Sequence, residues 1–143
     1  MSDKWGRRLF KTGAIWLVIL ALVHSISLFQ KPVPGNDTEK QLLGLMSNYR
    51  FDLMGSSRSM AEMLHGFSIA FMLAALGIGA LDILVMRERA GLVKRVALMN
   101  AIWLGAMTAV SLRYFFAAPT SFLAVGLVIF VLAWWKLPAE VTN

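Results

Sequence analysis

"MAEMLHGFSIAFMLAALGIGALDILVM", Met60 to Met86, decides the architecture. Apart from Glu62, His65, Ser68 and Asp82, every residue in it is apolar or glycine. A run of about 27 residues rising about 1.5 Å each makes a helix of about 40 Å, longer than the ~30 Å hydrocarbon layer of a bilayer. The run is therefore expected to cross a membrane, with its surplus turns in the headgroups.

Working outward, three more apolar stretches follow the same rule: Gly13 to Phe29, Val96 to Phe116 and Pro119 to Trp135. Each approaches the ~20 residues that a crossing needs. In lipid, backbone N–H and C=O groups must be paired within the segment, so helices are the economical reading. Pro32, Pro34, Pro119 and Pro138 all fall at ends or in loops, leaving no span broken. The predicted fold is all-α, a four-transmembrane-helix bundle over residues 1–143 as one integral membrane domain. A short amphipathic helix is expected in the outward loop, 30–57, between spans one and two. The composition agrees, since 58% of the 143 residues are hydrophobic and 15% are charged. The lack of cysteine excludes disulfides, thiolate metal sites, thiol nucleophiles and covalent c-type haem attachment.

Basic residues in short flanks set the orientation. Lys4, Arg7, Arg8, Lys11, Arg87, Arg89, Lys94, Arg95 and Lys136 make nine on one face, against five on the other: Lys31, Lys40, Arg50, Arg58 and Arg113. Both termini are expected to be cytoplasmic. The net charge of +6 then follows from topology and anionic lipid, and no nucleic-acid partner is required. "GRRLFK" carries the paired arginines of an export signal, with Val23 and Ser25 as a small-residue cleavage pair. The apolar stretch is longer than a typical signal core, so the first helix is expected to be retained.

In the loop, Asn36 precedes Glu39 by three residues, a capping-box pattern, and Leu42, Leu43, Met46 and Tyr49 recur at helical spacing. This predicts an amphipathic helix on the outer surface, its apolar face lidding the bundle or resting in the headgroups. "DLMGSSRS" reads as a turn leading to a helix cap.

Small residues recur every four positions at Gly66, Ala70 and Ala74, and again at Ala101, Gly105 and Ala109. That spacing lets helix backbones approach, so both stripes are expected to face protein. Asp82 and Asn100 come at similar depth and are expected to satisfy each other, or Lys94 or Arg95, as interhelical polar glue. The fourth span reads as a lipid-facing wall.

Arg58, Glu62 and His65 lie within about 60° of helical arc. His24 near the end of span one and Arg113 at the end of span three come to the same outer level, so the five form a candidate polar cluster. Glu62 is expected to pair with Arg113. The plainest role is interfacial anchoring and helix pairing. The alternatives are a pocket for a quinone or other amphiphile, or a b-type haem between His24 and His65. "EMLH" has the Glu-x-x-His spacing of di-iron bundles, but in one copy, so no metal is assigned and no cofactor is predicted.

There is no Gly-x-Ser-x-Gly, no His-Glu-x-x-His, no phosphate loop and no carboxylate pair within a span. Neither broken spans nor internal repeats point to a transporter. The expectation is an accessory or assembly subunit without a recognisable catalytic motif, whose partners are the lipid bilayer and other membrane subunits or further copies of itself.

The histidine near the end of span one, followed by "FDLMGSSRSMAEMLHGFS" with Phe51, Gly55, Arg58, Ser59, Gly66 and Phe67, resembles a family of small bacterial four-helix integral membrane proteins, a domain of unknown function. The resemblance implies four spans and a bacterial inner membrane, and carries no catalytic residue.

Overall fold

The computed structural model describes residues 2–139. The element order is α1 (Ser2–Leu28), α2 (Asp37–Asn48), β1 (Arg50–Leu53), β2 (Ser56–Ser59), α3 (Met60–Val85), α4 (Ala90–Tyr114) and α5 (Ala117–Lys136). Four of these, α1, α3, α4 and α5, are long and apolar enough to cross a membrane. Three begin earlier than hydropathy predicts, two of them by six residues or more. Helix α1 starts at Ser2 rather than Gly13, and α4 at Ala90 rather than Val96. Lys and Arg are good helix formers, so the backbone stays helical where the apolar signal stops. Helix α5 starts at Ala117, which puts Pro119 in the first turn, where its missing N–H breaks no helical bond.

The chain divides into two compact units, Met1–Leu20 with Ala75–Asn143, and Ala21–Ala74. In the first unit the core is built on the α1 face formed by Phe10, Ala14 and Leu17, all fully buried. Phe10 meets Phe130 of α5 edge to face, ring centroids 5.8 Å apart. Glycine makes these approaches close: a Cβ on Gly79 of α3 would lie 3.0 Å from the Ala14 carbonyl oxygen, and one on Gly13 would lie 2.7 Å from the Phe130 ring. Helix α5 buries Leu123, Gly126, Phe130 and Ala133. That spacing of three and four residues makes one protein-facing stripe, so the fourth span is a wall on one side only. Polar groups add two ties to α5: Trp16 Nε1 donates to the Phe122 carbonyl at 2.9 Å, and the Ser111 and Thr120 hydroxyls bond at 2.7 Å.

One end of this unit is basic. The Arg7 guanidinium donates to the carbonyls of Met86 and Glu88, at 3.0 and 2.9 Å, in the α3–α4 turn. Lys94 Nζ donates to the Leu137 carbonyl at 2.7 Å and lies 5.8 Å from the centre of the Trp134 ring. Leu137 is buried, and its side chain fills the space beside Gly6. The start of α1, the α3–α4 turn and the end of α5 therefore share one end, with Lys136 4.4 Å from the Trp135 ring centre.

The second unit holds the end of α1, α2, the two strands and the start of α3. Helix α2 opens on a reciprocal cap: Asn36 Oδ1 accepts from the Glu39 N–H at 2.9 Å, and Asn36 Nδ2 donates to Glu39 Oε1 at 3.2 Å. The segment expected as a simple turn is a β-hairpin, the one departure from an all-α fold among the described residues. Its strands pair antiparallel from Arg50↔Ser59 to Leu53↔Ser56. The two loop residues have positive φ, Met54 at 50° and Gly55 at 83°, which is the backbone of a type I′ turn. Arg50 locks the ladder by donating to Ser57 Oγ at 3.1 Å and to the Ser57 carbonyl at 2.9 Å.

Candidate functional site

The second strand runs straight into α3, and Ser59 caps that helix. Ser59 Oγ accepts from the Glu62 N–H at 3.2 Å, and the Ser59 N–H donates to Glu62 Oε2 at 2.9 Å, a capping box. Both Glu62 oxygens also face Arg50, at 3.3 and 3.1 Å. Glu62 therefore pairs with Arg50, and the expected Arg113 partner is corrected. An arginine fork two residues past α2 reaches the carboxylate because the hairpin folds β1 back over the α3 cap. Arg58 donates to the Ser57 carbonyl at 2.9 Å. The sequence signal for the box, Ser59-x-x-Glu62 before an apolar run, was present. The signal for Arg50 was not, since its closeness depends on the hairpin. This group works as a clamp that fixes the hairpin on the first turn of α3.

The histidines are placed differently. His65 is exposed. His24 is half-buried, its ring edge-on to Phe71 with centroids 4.9 Å apart, and its Nε2 is buried with no hydrogen-bond partner among the described residues. Ser27 Oγ donates to the His24 carbonyl at 2.6 Å, so this hydroxyl serves the backbone and not the imidazole. Phe71 follows His65 by six residues, about 9 Å along α3 and about 120° round it. The imidazole of His24 thus meets a face of α3 other than the one carrying Glu62 and His65. Arg58 lies on β2, before the helix begins, so the expected helical face of Arg58, Glu62 and His65 is corrected to the last two. Arg113 is exposed in the last turn of α4, its guanidinium carbon 5.9 Å from the Tyr114 ring centre.

In the first unit, Asn100 Nδ2 donates to Asp82 Oδ2 at 2.7 Å, with the two residues 6% and 2% exposed. The pair joins α3 to α4 as expected. Lys94, one of the two basic alternatives expected, turns to the Leu137 carbonyl. Asn100 lies six residues beyond Lys94, about 9 Å farther along the helix.

The small-residue stripes divide. Ala101 is buried and a Cβ placed on Gly105 would lie 3.8 Å from the Leu127 side chain, but Ala109 is exposed. On α3 the expected stripe of Gly66, Ala70 and Ala74 is exposed, and nothing comes within 4 Å of a Cβ placed on Gly66. The buried residues of α3 are Ala75, Gly79 and Asp82. They centre about 150° round the helix from the expected stripe. Small residues occupy both registers, and periodicity alone does not separate them.

Among the described residues no three His, Asp or Glu side chains come together as a metal site. Comparison with family models, curated proteins and solved structures finds no match to this chain.

Proposed function

We propose that the chain is a multi-pass protein of a bacterial inner membrane, with both termini cytoplasmic, acting as an accessory or assembly subunit of a membrane complex. The observation that carries this reading is the contrast between its glycines. Gly79 and Gly13 each admit a neighbour to within contact distance, whereas Gly66, on the exposed stripe with Ala70 and Ala74, meets nothing. Glycine weakens a helix by about 1 kcal/mol relative to alanine, and close helix packing offsets that loss. An open stripe of this kind suits a helix from another subunit or another copy. The grouping of Arg7, Arg87, Arg89, Lys94 and Lys136 at one end supports the cytoplasmic placement of the termini. The test is crosslinking in native membranes from a photoreactive residue at position 70. A discrete adduct that disappears in Gly66→Leu supports the subunit role; a lone monomer with no adduct contradicts it.

A second reading, an amphiphile- or haem-binding protein, draws on the unpartnered Nε2 of His24. One imidazole with a buried, unpartnered nitrogen suits a hydrogen bond to a quinone carbonyl. A bis-histidine haem also needs His65, which sits on another face of α3. An absorption spectrum of protein purified from haem-replete, quinone-replete cells separates the two, since a Soret band lost in His24→Ala supports haem. A colourless preparation whose extract contains no quinone contradicts both.

A further inference from the structure

We infer that the segment 37–53, α2 with β1, is an in-plane membrane anchor whose apolar face seats at the boundary between headgroups and acyl chains. The inference rests on the reading of α1, α3, α4 and α5 together as membrane spans. No residue of α2 is buried. On the helical wheel Leu42, Leu45 and Tyr49 fall within about 60° of arc. All three are exposed, while Leu43 and Met46, farther round, are half-buried. The strand continues this face. Tyr49 packs edge-on against Phe51 with centroids 5.1 Å apart. Alternation along β1 puts Leu53 on the same side as Phe51, and Arg50 with Asp52 on the other.

The polar side is the fastened side. Arg50 binds Ser57 and Glu62, and Ser59 caps α3, so the apolar face is held at a set angle to the first turn of that helix. Helix α3 has 26 residues. At about 1.5 Å each it exceeds the ~30 Å hydrocarbon layer by about six residues, which brings its first turns, and the hairpin joined to them without a linker, to headgroup level. Both ends of the segment lead into spans, so it is tethered beside lipid at high effective concentration. Tyrosine at the centre of the face suits that boundary. Charge plays little part: Lys31, Lys40, Arg50 and Arg58 are balanced by Asp37, Glu39, Asp52 and Glu62. Seating is therefore by apolar burial, and lipid headgroup charge should not alter it.

The chain contains no cysteine, which permits single-site spin labelling of the full-length protein. Nitroxides are placed by Leu45→Cys, Tyr49→Cys and Leu53→Cys on the apolar face, by Lys40→Cys, Ser47→Cys and Asp52→Cys on the polar face, and by Val128→Cys on the exposed side of α5. Collision with oxygen and with a water-soluble nickel chelate is read in nanodiscs of zwitterionic lipid and of mixed zwitterionic and anionic lipid. The expected result is oxygen-dominated collision at the apolar-face sites, nickel-dominated collision at the polar-face sites, and no change between lipid mixtures. Nickel-dominated collision at positions 45, 49 and 53, with position 128 still oxygen-dominated, overturns the anchor and leaves the spans standing. Nickel access at position 128 overturns the span reading itself. Shielding of the apolar-face sites from both reagents overturns the anchor in favour of a protein partner or second copy.

Discussion

Asn100 and Asp82 join α4 to α3 through a 2.7 Å hydrogen bond between two buried side chains. Hydrogen bonds between membrane helices contribute about 0.6–1.7 kcal/mol, and a carboxylate acceptor belongs at the upper end. Asn100→Ala leaves Asp82 without this donor and is expected to destabilise the fold by about that upper amount. Asp82→Leu combined with Asn100→Leu is expected to be milder than the sum of the single changes, because neither partner is left stranded. Reversible unfolding in mixed detergent micelles measures both.

Gly79 and Gly66 provide a paired test on one helix. Gly79→Ala drives a methyl to 3.0 Å from the Ala14 carbonyl oxygen and is expected to destabilise by about 1–3 kcal/mol. Gly66→Ala meets nothing and should raise the stability of the isolated chain by up to about 1 kcal/mol through helix propensity. Thermal unfolding of the purified variants in one detergent checks the opposite signs.

At the start of α3, Ser59→Ala removes the cap and should cost about 1 kcal/mol. Glu62→Gln retains a side-chain acceptor at the third helical position while dropping the ion pair with Arg50, so it is expected to perturb the helix start less. Hydrogen exchange of the amides at positions 60–63 ranks the two: faster exchange in Ser59→Ala than in Glu62→Gln is the predicted order.

Met54 occupies a left-handed conformation that a side chain of its kind adopts with difficulty, φ 50°. Met54→Asn places the residue type that type I′ turns favour and should stabilise the hairpin by about 1 kcal/mol. Gly55→Ala, at φ 83°, should weaken it. Slower and faster amide exchange across 50–59, respectively, are the expected outcomes.

The long helices were readable because their signal is redundant: each of about twenty consecutive residues reports the same solvent. The Asp82 and Asn100 pair was readable because two polar residues at one depth in apolar helices have few other partners. The Asn36 and Glu39 cap was readable because both members lie within one turn. Hairpin 50–59 was not, since Met54 stands where asparagine is usual and the second strand, Ser56–Ser59, has no alternating apolar residues to mark it. With the hairpin unseen, Arg50 could not be brought to Glu62, and Arg113 was the expected partner because Arg58, four residues before Glu62, would have had the less favourable order of charges on a helix. The register of small residues on α3 was likewise hidden, because Gly66, Ala70 and Ala74 and the pair Ala75 and Gly79 present equivalent patterns, and only the packing against Ala14 distinguishes them.

The central claim is that α1, α3, α4 and α5 each cross a membrane and return both ends of the chain to the cytoplasmic side. Labelling with a membrane-impermeant maleimide, in right-side-out and inverted vesicles, tests it directly on single Arg8→Cys, Glu88→Cys, Pro138→Cys, Lys31→Cys and Phe116→Cys variants. Positions 8, 88 and 138 are predicted to react only in inverted vesicles, and positions 31 and 116 only in right-side-out ones. Reaction of positions 8 and 138 from opposite sides would contradict the account.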